Sequence, residues 1–174
     1  PPFRNFTTKA KEAVRKAHEL AIERGENHVT PLHLFAALVL QEESMVFSIL
    51  EKLDIDTMLL TDSLLEAIES PDSSSVLSPS YQLYLTPELA HVLEGSSKIA
   101  SSIGDSFVST EHLFIAILDH PGPSREIIAR FRLEKGAVVE VLKELKERNV
   151  TEVGEPKRFR ALTSLAPVGI FLTD

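Results

Sequence analysis

The side chains of this sequence that could do chemistry are histidines and carboxylates, because the chain contains no cysteine. Without cysteine, disulfides, thiol catalysis and thiolate metal sites are all excluded, and a reducing compartment fits. The histidines are His18, His28, His33, His91, His112 and His120. They show neither the His-x-x-x-His spacing nor the carboxylate spacing that would place metal ligands on one helical face. The sequence therefore predicts no metal site and no cofactor in this chain.

Motifs for nucleotide and acyl chemistry are also absent from the sequence. It contains no glycine-rich phosphate loop ending in Lys-Ser/Thr, no G-x-G-x-x-G and no G-x-S-x-G. We therefore predict that this chain is not an enzyme and does not hydrolyse ATP by itself. Its 26 acidic against 18 basic side chains give a net charge of −8, which disfavours nucleic acid as a partner.

Two acidic residues, Asp105 and Glu111, flank the predicted start of a helix and allow two interpretations. In the structural one, Asp105 binds loop amides and Glu111 interacts with the positive end of the helix dipole. In the functional one, they form an acidic rim beside an apolar groove that holds a basic or amide-rich peptide. For His33 and His112, the structural interpretation is packing and hydrogen bonding where helices meet, against a metal or acid–base role.

The elements that must position these residues occur twice in the sequence. Segment 6–25 matches segment 85–104 at an offset of 79 residues, and the match continues into a second helix. The clearest matched run is His33-Leu34-Phe35-x-Ala37 against His112-Leu113-Phe114-x-Ala116. Other matched pairs are Thr7 and Thr86, Ala21 and Ala100, Gly25 and Gly104, and Val29 and Val108. A shared register through two helix breakers indicates a duplication.

Each copy reads as four helices, because apolar residues recur at helical spacing and strand signals are poor. The residues expected to cap helix starts are Thr7 or Thr8, Thr30, Thr86 and Ser109. Small residues form close-packing stripes on the first helices, at Ala13, Ala17, Ala21, Ser96 and Ala100. We therefore predict an all-α fold in which two pseudo-twofold-related four-helix repeats pack into one globular domain.

The predicted domain spans residues 1–148, with repeat one at about 6–70 and repeat two at about 85–148. A polar, proline-bounded linker at 71–84 joins the repeats, and helical periodicity stops before a linker or tail at 149–174. No apolar run approaches the ~20 residues of a membrane span, and the N-terminus lacks a secretory signal. We expect a monomer without membrane contact, in the cytoplasm or in an organelle stroma or matrix.

These motifs resemble the Clp amino-terminal domain, the double helical repeat that precedes the ATPase rings of ClpA, ClpB and ClpC chaperones. The resemblance covers roughly residues 6–146 and is greatest to the ClpB branch. The residues that carry it are Phe6-Thr7-x-Lys9-Ala10, Thr30-Pro31-Leu32-His33-Leu34 and Gly104-Asp105-Ser106-Phe107-Val108-Ser109-Thr110-Glu111. In the tail, Glu155-Pro156-Lys157-Arg158-Phe159 is similar to the ClpB linker into its first ATPase domain.

The resemblance implies a substrate-recognition module that binds exposed apolar stretches of unfolded or aggregated polypeptides. Such a module delivers them to the hexameric ATPase ring of its parent protein, where ATP and Mg²⁺ would be bound, and adaptor proteins are further possible partners. The family's site residues carry over as Thr7, Asp105 and Glu111, with Leu93 lining the groove. His112 is also counted among the site residues; at its position, after the glutamate, ClpB often has an apolar residue, whereas ClpC has a histidine as this chain does.

Two alternatives remain open from the sequence. ClpC-type domains offer a Thr-Glu-His motif in each repeat to hold phosphoarginine or adaptors; copy two keeps Thr110-Glu111-His112, but copy one has Pro31-Leu32-His33. The missing glutamate argues against paired phosphoarginine sites. The other alternative is a stand-alone accessory protein of the Clp protease, against which the linker-like tail weighs.

Overall fold

The computed structural model describes residues 3–69 and 84–151, and along these ranges the chain is mostly helical. In the first half the elements are α1 Thr8–Glu23, β1 His28–Val29, α2 Pro31–Leu40, α3 Met45–Lys52 and α4 Thr57–Glu69. In the second half they are β2 Tyr84–Leu85, α5 Pro87–Ile103, α6 Thr110–Asp119, a 3-10 turn at Gly122–Ser124, α7 Arg125–Arg130 and α8 Lys135–Thr151. The predicted all-α fold with four helices in each copy is confirmed.

The helices begin directly after the residues that the sequence predicts as their caps. The hydroxyl of Thr7 accepts a hydrogen bond from Ala10 N at 3.1 Å, and that of Thr86 accepts one from Leu89 N at 3.2 Å. Thr30 caps α2, which starts with proline, as α5 does. Proline suits this position because its missing N–H would have no partner inside the helix.

The backbone repeats its unusual conformations in the two halves. Left-handed φ values occur at three pairs of corresponding positions, which are Gly25 and Gly104, Glu43 and Gly122, and Asp54 and Arg132. Gly104, with φ of 89°, ends α5 as a left-handed C-cap, a conformation that glycine adopts without steric cost. The chain therefore turns at the same places in both repeats, as a duplication requires.

The two central helices, α2 and α6, form the core. Residues 31–39 of α2 and 110–117 of α6 are all buried, and a helix that is apolar on all sides belongs in an interior. Around them, α1 packs on α2 and α5 packs on α6. The predicted small-residue stripes are buried at these contacts, at Ala13, Ala17, Ala21, Ser96 and Ala100.

Two short backbone pairings, which the sequence did not predict, tie the halves together. Strands β1 and β2 pair in parallel, with Val29 opposite Leu85. An isolated parallel bridge joins Phe6 to Val108. Each repeat thus contributes one partner to each pairing, in the exchanged arrangement expected of a twofold relation.

The predicted linker at 71–84 lies outside the described residues except for Tyr84, and the predicted tail lies outside them beyond the end of α8. Among the helices of the described ranges, none is by itself long and apolar enough to cross a membrane; α2 and α3 pass that test only as a pair bent by 86°.

Candidate functional site

The starts of two helices, one from each repeat, meet at a cleft of about 260 Å³. We name it the helix-start cleft; it is lined by Thr7, Thr8, Lys9, Met45, Ser109, Thr110 and Glu111. Backbone hydrogen bonds hold the two starts side by side, because Thr7 N donates to Val108 O at 2.9 Å and Val108 N donates to Asn5 O at 2.8 Å. The position of the cleft is thus fixed by the bridge between the repeats.

The lining of the helix-start cleft includes charged side chains from both repeats. The side chain of Glu111 is in the first turn of α6 and only 6% exposed, where the positive end of the helix dipole favours its negative charge. On the other side, Lys9 donates from Nζ to the carbonyl of Glu43 at 3.2 Å. The cleft therefore offers both a carboxylate and an ammonium group to a ligand.

Thr110 gives the cleft an unsatisfied polar group. The residue is 1% exposed, and within the described ranges its hydroxyl has no hydrogen-bond partner. Buried hydroxyls are nearly always paired, because leaving one unpaired costs about 1–3 kcal/mol. Thr110 is among the residues that line the cleft, but its hydroxyl oxygen is buried beneath the surface there.

Behind the cleft, Asp105 joins three elements. Its Oδ2 accepts a hydrogen bond from His112 Nε2 at 2.8 Å and one from Lys146 Nζ, on α8, at 2.7 Å. Burial acts to raise the pKa of the Asp105 carboxyl, but the hydrogen bonds and charges of Lys146 and His112 outweigh it, so that the pKa is lowered. Asp105 stays ionised and fastens the loop before α6 to α8.

His112 is entirely buried and both its ring nitrogens are bonded. Nδ1 accepts from the backbone N–H of Ser109 at 2.8 Å, so the ring proton lies on Nε2 and is donated to Asp105. An imidazole nitrogen of His112 and one carboxylate oxygen each of Asp105 and Glu111 lie within 4.8 Å of one another. Because the Lys146 ammonium already balances Asp105, this cluster fits a hydrogen-bond network better than a cation.

The other repeat contains the same arrangement. His33 accepts the N–H of Thr30 at Nδ1 and bonds Glu26 through Nε2 at 2.9 Å. Burial lowers the pKa of His33, and the neighbouring Glu26 carboxylate, which acts to raise it, does not compensate. Both histidines therefore pack and hydrogen-bond where helices meet, as the structural interpretation predicts.

The equivalent of the cleft in the other half has different chemistry. The replacements are Pro31 for Thr110, Leu32 for Glu111 and Glu88 for Lys9. The 3-10 turn lies against this region, since a Cβ built at Gly122 would be 3.2 Å from the ring of Pro31 and 3.5 Å from Glu88 Cβ. The hydroxyl of Thr110 and the carboxylate of Glu111 are thus replaced by apolar groups, and the ammonium of Lys9 by a carboxylate.

The structure brings together four of the five candidate residues from the sequence. Thr7 and Glu111 line the cleft, while Asp105 and His112 support it from behind. Leu93 is half-buried on α5, packs against the core and is not among the residues that line the cleft. The sequence did not single out Thr110, Lys9 or Met45 as site residues, although Thr110 and Lys9 lie within the quoted motifs.

Comparisons with known proteins agree with this fold. The profile of the family described as "Clp repeat (R) N-terminal domain" matches residues 5–145. The chain belongs to the Clp N-terminal domain family. Over 157 residues it is 28% identical to the chaperone protein ClpB of Dichelobacter nodosus, covering 89% of this chain and 18% of that protein.

Solved structures share the fold of this Clp N-terminal domain. The Hsp104 N-terminal domain from Candida albicans superposes with a TM-score of 0.71 at 19% identity, covering 82% of this chain and 92% of that one. A ClpV N-domain in complex with a VipB peptide has a TM-score of 0.62 at 20% identity, covering 78% and 82% of the two chains. The family is thus the N-domain of Clp/Hsp100 AAA+ chaperones, and the chain spans less than a fifth of the ClpB relative.

Proposed function

We propose that this Clp N-terminal domain recognises substrates for a ClpB-type ATP-dependent disaggregase, binding exposed segments of unfolded or aggregated polypeptides in the helix-start cleft. The observation that carries the proposal is the cleft itself, where the helix starts of the two repeats bring Lys9 and Glu111 to one lining. The ClpB relative supports the parent protein, and the ClpV complex supports a peptide as the ligand of this fold.

The groups in the cleft match those of a polypeptide main chain. The ammonium of Lys9 can donate to carbonyl oxygens, and the carboxylate of Glu111 can accept from amide N–H groups. Met45 adds a flexible apolar contact that adapts to different side chains. Contacts of this kind select an extended, unfolded chain more than a particular sequence.

The ring nitrogens of His112 are not available to a ligand in the cleft. The ring is buried and both nitrogens are occupied by Ser109 and Asp105. The histidine therefore contributes position, because it holds the loop and the start of α6 in place. Substitution of Asp105 or His112 is expected to act on binding through this support.

The proposal is tested by titrating a casein-derived peptide into the chain by fluorescence anisotropy. Binding in the tens-of-micromolar range, about −6 kcal/mol, is expected, and moderate salt should leave it largely intact because few full charges pair. Glu111→Gln should weaken peptide binding, since it removes the negative charge among the residues that line the cleft. The matched control for Glu111→Gln is Glu94→Gln, because Glu94 is an exposed glutamate on α5.

The Leu93→Asp variant distinguishes peptide binding in the helix-start cleft from binding in the groove that the sequence analysis expects Leu93 to line. If Leu93→Asp abolishes binding while Glu111→Gln leaves it unchanged, the peptide binds on α5 and the assignment to the helix-start cleft is wrong. Tight, salt-sensitive binding of phosphoarginine in place of the peptide would instead favour a ClpC-type function. Leu32→Glu should then add a second site.

A further inference from the structure

The outward side of α4 carries the most exposed large apolar side chain of the described residues. Met58 is 76% exposed, and the next residue, Leu59, is 54% exposed. The buried residues of this helix, Leu60, Leu64 and Ile68, lie on the opposite side. Since each residue turns a helix by about 100°, the exposed residues of α4 share an arc of about 100°. We name this arc the α4 outer face, and its residues are Met58, Leu59, Asp62, Glu66 and Glu69.

The α4 outer face belongs to the most acidic part of the chain. Residues 42–69 contain eight carboxylates and a single cation, Lys52, which gives a net charge of −7 against −8 for the whole chain. On the outer face, Asp62, Glu66 and Glu69 follow one another at spacings of four and three residues, where like charges repel. They also approach the carboxyl end of the helix, where negative charge is unfavourable. These charges therefore do not serve the stability of α4.

Only part of this charge is balanced within the described ranges. Glu69 forms an ion pair with Arg24 at 3.1 Å. The neighbouring cation of α7, Arg130, reaches α4 but donates to a serine hydroxyl at 3.4 Å. Among the residues that the structure describes, Asp62 and Glu66 have no ion-pair partner. The α4 outer face thus presents two unpaired carboxylates on the same helix face as two exposed apolar side chains.

The sequence of the chain contains a segment of complementary chemistry. Lys157, Arg158 and Arg160 flank Phe159 on both sides, and no other four consecutive residues of the chain contain three cations. Lysine and arginine pair with carboxylates, and arginine does so with two hydrogen bonds. Phe159 suits Met58, because a methionine sulfur makes favourable contacts with aromatic rings.

The order of the helices brings this segment near α4. The segment follows α8, which packs on α3, and α3 packs on α4. Because packed helix axes are about 8–10 Å apart, the lateral distance from α8 to α4 is roughly 20 Å or less. An extended chain covers about 3.3–3.6 Å per residue, so the path from Thr151 to Lys157 can cover about 20 Å. The segment can therefore cross the lateral distance to α4 of its own chain.

We propose that the α4 outer face binds segment 157–160 of the same chain. Phe159 packs on the two exposed apolar side chains, and the cations of the segment pair with Asp62 and Glu66. The contact fastens the tail that follows the second repeat to the first repeat. It does not involve the helix-start cleft and is independent of the proposed peptide binding.

The two methionines of the chain allow a direct test by 13C-methyl NMR. Met58 reports on the α4 outer face and Met45 on the helix-start cleft. The triple variant Lys157→Gln/Arg158→Gln/Arg160→Gln should shift the Met58 methyl resonance by more than its line width, toward the position of a free methionine side chain. Salt at about 1 M, where the Debye length is about 3 Å, should shift it in the same direction. The Met45 resonance should not move, which also shows that the fold is retained.

Two single variants complete the test. Phe159→Ala should shift the Met58 resonance, because it removes the ring that packs on this side chain. Lys143→Gln, which removes an exposed cation on α8, is the matched control and should leave the resonance in place.

Three results would overturn the proposal. The first is a Met58 resonance that stays the same in the triple variant, in Phe159→Ala and at high salt. The second is a shift of Met45 in place of Met58, which would put the segment in the helix-start cleft. The third is a Met58 shift that depends on protein concentration, which would put the segment on a second copy of the chain.

Discussion

Phe35 and Phe114 occupy the same position in the two repeats and pack against each other, with ring centroids 5.7 Å apart. A residue can touch its own equivalent only close to a twofold axis. The pseudo-twofold axis therefore passes between α2 and α6, through the centre of the core. The exchanged pairings of Val29 with Leu85 and of Phe6 with Val108 obey the same relation.

The contact between the two phenylalanines should be visible as coupling. Phe35→Leu and Phe114→Leu should each lower the free energy of unfolding by about 1–3 kcal/mol, because both rings are fully buried. The double variant should differ from the sum of the two, since each change alters the neighbour of the other. Urea denaturation measures these values.

The control is Phe107→Leu, because the Phe107 residue is 56% exposed; this change should alter stability by less than about 0.5 kcal/mol. Strict additivity would contradict a shared contact.

Helix capping gives a second prediction. Thr86→Ala removes the hydroxyl that accepts from Leu89 N, and Thr30→Ala removes the acceptor for Leu32 N. Each change should cost about 0.5–2 kcal/mol of stability. Thr8→Ala, an exposed residue inside the first turn of α1, is the matched control. Denaturant midpoints equal to that of the unsubstituted protein would show that these hydroxyls do not stabilise the helix starts.

The buried His33 predicts a dependence of stability on pH. Because burial lowers its pKa in the folded protein, the unfolded chain binds a proton more readily once the pH falls below about 6.5. The free energy of unfolding is then greatest above this pH and decreases as the pH falls. Protonation would also place a hydrogen on Nδ1, which accepts the N–H of Thr30. His33→Gln, which keeps a side chain able to cap Thr30 but does not titrate, should flatten the decrease. His28→Gln should not, and equal slopes for all three proteins would refute the assignment.

Asp105 predicts an effect at lower pH. Its lowered pKa means that its ionised form stabilises the fold above about pH 3.9, the ordinary value for aspartate, and that this contribution is lost as the pH falls through the folded pKa. Asp105→Asn should therefore destabilise the domain at neutral pH, with a difference that shrinks in acid. A double-mutant cycle with Lys146→Met should give a coupling of roughly 0.2–1 kcal/mol, because both groups are partly exposed. Lys143→Met on the same helix should show none.

The helices and their limits could be read from the sequence because they depend on local interactions. Thr7, Thr30 and Thr86 cap from within three residues of the amides that they bind, and Gly104 ends α5 where a left-handed residue is required. The duplication also predicted the pseudo-twofold arrangement, since two copies of one helical pattern bury the same helix faces. The structural role of His33 and His112 followed from their equivalent places in the two patterns.

The site depended on contacts between residues that are distant in sequence, and only the tertiary structure decided it. Thr110 lies opposite the start of α1 because the bridge from Phe6 to Val108 sets the two helices side by side. Leu93 lies outside the cleft because the way α5 is rotated about its axis where it packs on α6 turns this residue elsewhere. The helical periodicity of the sequence does not determine that rotation. His91 meets His120 for the same reason. Local hydrogen bonds and periodicity determine where helices begin and end, while the packing of one helix on another determines which side chains meet.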